Sequence, residues 1–118
     1  MRTYSHYNLV GELTTWIDVQ APISEVSATG YPSQSWESIW GGSLRPCRWI
    51  NAHGSEAWQN ASLDLKEAAT IMLRYDPGIA PECRVIKGGE TWEIISLDDV
   101  RERGHWLELK IKRIVPAQ

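Results

Sequence analysis

The first residues to test for chemistry are Cys47, Cys83, His53 and His105, the side-chain types that hold metal ions or act as nucleophiles. None of them stands in a Cys-x2-Cys or His-x3–5-His pair, the spacing that lets one local segment grip a metal. A distant Cys and His can always meet in a fold, so that pairing has almost no specificity, and a free Cys is more often a small core residue. Asp98-Asp99 with Glu93 could form a carboxylate pair for acid–base work or Mg²⁺. Arg101 and Arg103 follow closely, which makes a solvated, self-neutralised loop the better reading. Gly88-Gly89 lacks the Gly-x4-Gly-Lys-Ser/Thr pattern of a phosphate loop and is turn chemistry instead. Lys110, Lys112 and Arg113 alternate with apolar residues, as on the solvent face of a strand. The sequence therefore predicts no catalytic, cofactor-binding or metal site and no enzyme.

The elements that position these residues must come from one domain, since the chain has 118 residues. A chain of this size can bury roughly two-thirds of its unfolded surface, enough for one core. It is 42% hydrophobic and 23% charged, neither disordered nor membranous in composition. Its apolar runs, such as Ile71-Met72-Leu73, are far shorter than the roughly 20 residues that cross a bilayer. Met1-Arg-Thr-Tyr-Ser-His has no apolar run, so no signal peptide is expected and the product should stay in the cytoplasm where it is made. In that reducing compartment, two Cys residues so far apart read as packed thiols. The formal charge of −3, with 12 Lys and Arg, argues against a surface built to grip phosphates. Seven Trp, four Tyr and no Phe exceed what one core requires of Trp, and Trp is enriched at protein contacts.

Residues 1–12 show no clean period and read as an N-terminal arm, leaving 13–118 as the domain. Leu13 to Ala21 alternates around Ile17 and Val19 as a first strand that Pro22 should end. Residues 24–35 read as a polar loop punctuated by Gly30 and Pro32. Trp36 to Pro46 reads as a second strand, with a bulge or close approach at Gly41-Gly42. Residues 47–66 are the ambiguous stretch; a short helix near 55–61, a loop, and a strand from about Glu67 to Tyr75 fit best. Asp76-Pro77-Gly78 is a turn in which Gly should supply a positive φ. Cys83 to Lys87 and Trp92 to Leu97 form a hairpin across Gly88-Gly89, a primed turn. Asp98 to Gly104 is a charged loop. Leu107, Leu109 and Ile111 alternate with Glu108, Lys110 and Lys112 in a last strand. Six short strands predict an all-β fold, a small antiparallel barrel or sandwich.

The block from Leu73 to Ile114 resembles the bacteriophage head–tail joining (head-closure, or stopper) family. The matching positions are Arg74, Tyr75, Gly78, Ile79, Arg84, Val85, Gly89, Trp92, Ile94, Asp98, Arg103, Trp106, Leu107, Glu108 and Leu109. Upstream, Gly30, Trp36, Trp40 and Gly54-Ser55-Glu56 are looser matches. The resemblance spans nearly the whole chain from about Leu13. The first strand lacks the family's usual basic start, and the arm before it is longer. The resemblance implies a small barrel with a long loop between its second and third strands. It also implies a homo-oligomeric ring of six or twelve copies in the head-to-tail connector, assembled in the host cytoplasm. The ring would close the DNA channel after packaging, retain DNA without sequence preference and present a surface to the tail. Its partners would be the portal or adaptor ring on the head side and the tail terminator or tail tube on the tail side, with no membrane.

Residues 53–60, that is His53, Gly54, Ser55, Glu56, Ala57, Trp58, Gln59 and Asn60, are the expected channel loop. Trp36, Trp40, Arg74, Asp98, Arg101 and Arg103 are the expected subunit interface. Two other readings compete. One is a different connector ring component, an adaptor or tail terminator, the adaptors of this kind tending to be helical. The other is a small-barrel module for peptide or single-stranded nucleic acid, for which Arg45, Arg48 and Trp49 offer the one candidate patch.

Overall fold

The computed structural model describes residues 10–26, 30, 32–52 and 67–114. The expected short helix near 55–61 and the expected channel loop at 53–60 lie outside them. Seven strands carry the fold: β1 (Thr15–Val26), β2 (Pro32–Ser38), β3 (Arg45–Asn51), β4 (Ala68–Arg74), β5 (Arg84–Lys87), β6 (Glu90–Asp99) and β7 (Trp106–Arg113). Short 3-10 turns occupy Val10–Glu12 and Val100–Glu102. All pairings are antiparallel. They run β1-β3-β4-β7-β6-β5 and close through β5 onto β1, which makes a six-stranded barrel with β2 as an extra strand. Closure removes the open edges of the barrel itself.

The alternation seen in sequence becomes the wall of this barrel. Ile17, Val19, Cys47, Ile71, Leu73, Val85, Leu107, Leu109 and Ile111 point inward and are almost wholly buried, with Trp92 among them. Burying each large aliphatic side chain contributes about 1.5–3 kcal/mol. Truncating one such as Leu109 to Ala costs about 2–5 kcal/mol, because the closed wall cannot collapse around the gap. At the hairpin between β5 and β6 only Gly88 of the pair takes a positive φ, 58°, which is the pattern of a two-residue II′ turn.

The first third differs from its sequence reading in three ways. Pro22 does not end the first strand, and residues 24–35 are not one loop. β1 continues to Val26 and β2 begins at Pro32, so the two pair from Gln20↔Ser38 to Val26↔Pro32. The backbone explains why Pro22 is tolerated. Ile39 N–H donates to Val19 O at 2.9 Å, so odd residues of β1 face β2 and Pro22 faces away, where no donor is required. The third difference is the expected second strand, which is broken in two. Turn residues Ile39 to Gly42 separate β2 from β3, with Gly41 and Gly42 at φ 66° and 90°.

Gln20 pairs with Ser38 on one edge and Arg84 on the other, so β2 lies on the edge opposite β5. β3 follows β2 end to end along that same edge. The far half of β1 and β2 therefore leave the barrel as a two-stranded ribbon.

Candidate functional site

The barrel has two unlike ends. At the first, Ala52 N–H donates to Ala68 O at 3.1 Å, closing the base from which residues 53–66 leave and return. Ile114 N–H donates to Thr91 O at 2.8 Å at the same end, beside the Gly88-Gly89 hairpin. Trp49 packs edge-on to Trp92 there, with centroids 4.9 Å apart, and Lys87 Nζ lies 4.4 Å from the Trp49 centroid. The indole N–H of Trp49 donates to Asn51 Oδ1 at 3.0 Å, so this plug joins the core to the rim that anchors the 53–66 segment.

At the second end the carboxylate of Asp76 gathers the turn between β2 and β3. It accepts the Trp40 indole N–H at 2.7 Å, Arg45 at 3.2 Å and the backbone N–H of Gly78 at 2.8 Å. Arg45 also lies 4.6 Å over the Trp40 ring. Gly78 does not take the positive φ expected of it. Ile79 N–H closes the turn onto Asp76 O, and an added Cβ at Gly78 would meet Asp76 Oδ1 at 3.1 Å, so glycine serves there for space. Ser38 Oγ accepts the N–H groups of Trp40 and Gly42 while its hydroxyl donates to Asp18 at 2.7 Å. The ribbon is thus tied to the barrel by two hydrogen-bond networks.

The expected interface residues fall at this second end. Trp36, on β2, is half-buried with the Arg84 guanidinium 4.1 Å over its ring, and Arg84 Nε donates to Gln20 at 2.8 Å. Trp40 is held as above. Arg74 lies 5.4 Å over Trp106, which is buried beneath it. Asp98, Arg101 and Arg103 sit at the end of β6 and in the following turn, where Arg101 and Glu102 both take positive φ, 58° and 54°. Two consecutive left-handed residues without glycine store roughly 1–3 kcal/mol each. Asp99 Oδ1 accepts Gly104 N–H at 3.0 Å and fixes the turn.

Cations over indole rings are the feature that sequence reasoning missed. Four Trp residues have an Arg or Lys on one face, an arrangement that needs cross-strand register to be visible. Trp16 is different: it stands outward on β1 and is 56% exposed.

The candidates for chemistry take structural places. Cys47 is buried in the core, and burial pushes its thiol up to about 12, with the Lys87 charge opposing weakly, so it is a poor nucleophile. Cys83 is buried in the loop before β5, 3.9 Å from Gly78 O. His105 is exposed and contributes its backbone carbonyl to Tyr75 N–H. Among the described residues no three His, Cys, Asp or Glu side chains come together as a metal group.

Solved structures share this fold. Protein SF1141 from Shigella flexneri 2a superposes with a TM-score of 0.68 at 21% identity, covering 88% of this chain and 95% of that one. A chain from the virion of a native gene transfer agent particle superposes at 0.59 with 18% identity, covering 88% and 97%. At these identities the likeness is one of fold. No curated protein matches the chain in sequence. The phage head completion protein family model matches residues 9–114, and the chain belongs to that family. It is a component of a phage-type particle and serves in the head-to-tail connector.

Proposed function

We propose that several copies of this barrel form a ring in the connector that closes the DNA channel after packaging and offers the tail its attachment surface. The observation that carries this reading is the architecture of the first barrel end. A rigid, closed wall holds both feet of the 53–66 segment through the Ala52–Ala68 hydrogen bond and the Trp49–Trp92 plug. The support at both feet is built from the barrel's own ladder and does not draw on that segment. Within 51–66 the charged residues are Glu56, Asp64 and Lys66, two acidic and one basic, a net −1 with His53 neutral. Such a segment can obstruct DNA without holding it, because a cationic lumen would retain DNA through counterion release. The role is structural, with the portal or adaptor ring on one side and the tail terminator or tube on the other.

Deleting residues 53–60 tests this. Loop shortening changes closure entropy by under about 1 kcal/mol, so the barrel should melt within a few degrees of the parent. Heads assembled with the deletion should package DNA and then lose it. Stable, full, tail-competent particles from the deletion would remove the segment from the mechanism.

A further inference from the structure

Glycine fills most of the places where the described backbone turns left-handed. Gly30, Gly41, Gly42, Gly88 and Gly104 take positive φ. The two other described residues that do so are neighbours, Arg101 and Glu102, at 58° and 54°. They form the middle of the turn between β6 and β7, at the barrel end away from the 53–66 segment. Arg103 N–H donates to Val100 O at 3.4 Å across them, and two successive positive φ values inside such a closure are those of a mirror-image I′ turn. That turn is normally built on Asn-Gly, Asp-Gly or Gly-Gly, because a Cβ in this conformation crowds the following carbonyl oxygen.

The turn is fixed rather than loose. Asp99 Oδ1 accepts Gly104 N–H at 3.0 Å, so the chain is closed at two levels, and residues 101–105 all stand exposed at its tip. At Glu102 no intrachain contact offsets the strain. Its side chain makes no hydrogen bond or ion pair among the described residues. Glycine at 102 would relax the backbone and give up nothing inside the barrel. A carboxylate is thus held out in one direction by a strained turn, and strain of this kind collects where a side chain serves a contact.

We infer that Glu102 is a contact residue, its carboxylate presented by the β6–β7 turn to an arginine or lysine of a different connector protein. A guanidinium or ammonium forms its strongest hydrogen bonds with a carboxylate that is not already engaged. This chain itself carries a net −3, so a carboxylate held out at its tip complements a basic surface and not a further copy. The turn also lies beyond the last pair of the β6–β7 ladder, Asp99↔Leu107, at the barrel end and not on its wall. The inference needs the chain's place in the connector and is independent of channel closure by residues 53–60.

Two variants separate strain from contact. Glu102→Gly relaxes the backbone and removes the carboxylate, whereas Glu102→Gln keeps the Cβ and removes only the charge. Purified Glu102→Gly should melt a few degrees above the parent, and Glu102→Gln within about a degree of it. Both should bind preassembled heads at least about fivefold more weakly than the parent, since each leaves the basic partner without its counter-charge. In assembled particles, a benzoylphenylalanine placed at position 102 should photo-link to a connector protein other than this chain, next to an arginine or lysine. Equal head binding by parent and both variants would overturn the contact. A link formed with a second copy of this chain would overturn the partner. A Glu102→Gly protein no more stable than the parent would overturn the strain that carries the inference. Failure of the channel-closing reading looks different, because there the protein stays bound to heads and DNA retention is what the deletion leaves unchanged.

Discussion

Cys47 shows how burial sets the chemistry of a side chain that sequence alone leaves open. A thiol with an ordinary value of 9.0 is held near 12 inside the wall between β1 and β4, so it stays protonated where an unfolded chain would ionise. The sign follows directly. Below pH 9 both states carry the proton and stability is unaffected; between pH 9 and 12 the unfolded chain releases it and the folded chain does not. The unfolded state then binds fewer protons, and stability falls as pH rises. Comparing urea midpoints of the parent and Cys47→Ala from pH 8 to 11 isolates this group from titrating Lys and Tyr. The parent should lose stability faster than the variant above pH 9, and parallel curves would contradict the assignment. The packed character of both thiols was legible in the sequence from their separation and lack of paired ligands. Their depth was not, because it depends on which strand faces which.

At the scale of elements, the ribbon of β1 and β2 is where sequence and structure part, and the reason is physical. Residues 24–35 lack apolar alternation, and the paired ends of β1 and β2 within them extend past the barrel wall, so the pattern reads as a loop. Pro22 reads as a strand stop because its ring removes a ladder donor. Its nitrogen in fact faces the open edge beyond the end of β5. The register Val26↔Pro32 puts Pro32 on the opposite open edge by the same parity. Each free edge of the ribbon is thus blunted by a proline, a device that discourages strand addition between copies. Replacing both with Thr should keep the barrel intact while restoring a donor to each edge. Light scattering on concentrated Pro22→Thr/Pro32→Thr protein should show self-association that the parent lacks, and equal scattering would deny the prolines this role. By contrast, β4, β5 and β7 were legible as strands between turn residues, whereas β6 runs on past the expected end at Leu97, so Asp98 and Asp99 belong to the ladder with β7 and not to the charged loop.

The whole molecule combines a closed barrel, protected ribbon edges and scattered exposed apolar side chains, and this combination bears on when a ring forms. A barrel was legible from the count of short strands, but six were expected and seven form, because the break at Ile39–Gly42 depends on the Asp76 network reaching back across the fold. Nothing in the sequence shows that Ile95 projects, since that follows only from the slip of β6 against β7. Association costs about 4–15 kcal/mol of lost translational and rotational freedom, plus ordering of side chains at the contact. The exposed large apolar side chains among the described residues, Trp16, Leu44, Ile50, Tyr75, Ile95 and Ile114, are scattered and each already partly covered, so burying those on one face offsets little more than the lower part of that range. Each copy also carries a net charge of −3, so identical subunits repel at low salt. Docking on a preassembled ring changes the balance, because the platform holds neighbours at high effective concentration and the lateral contacts then form within one assembly. The purified chain should therefore sediment as a monomer at micromolar concentration and be captured in stoichiometric rings only by heads bearing the portal and adaptor layer. A closed ring of the purified protein alone in the ultracentrifuge, stable on dilution, would show that the lateral contact is stronger than these surfaces allow.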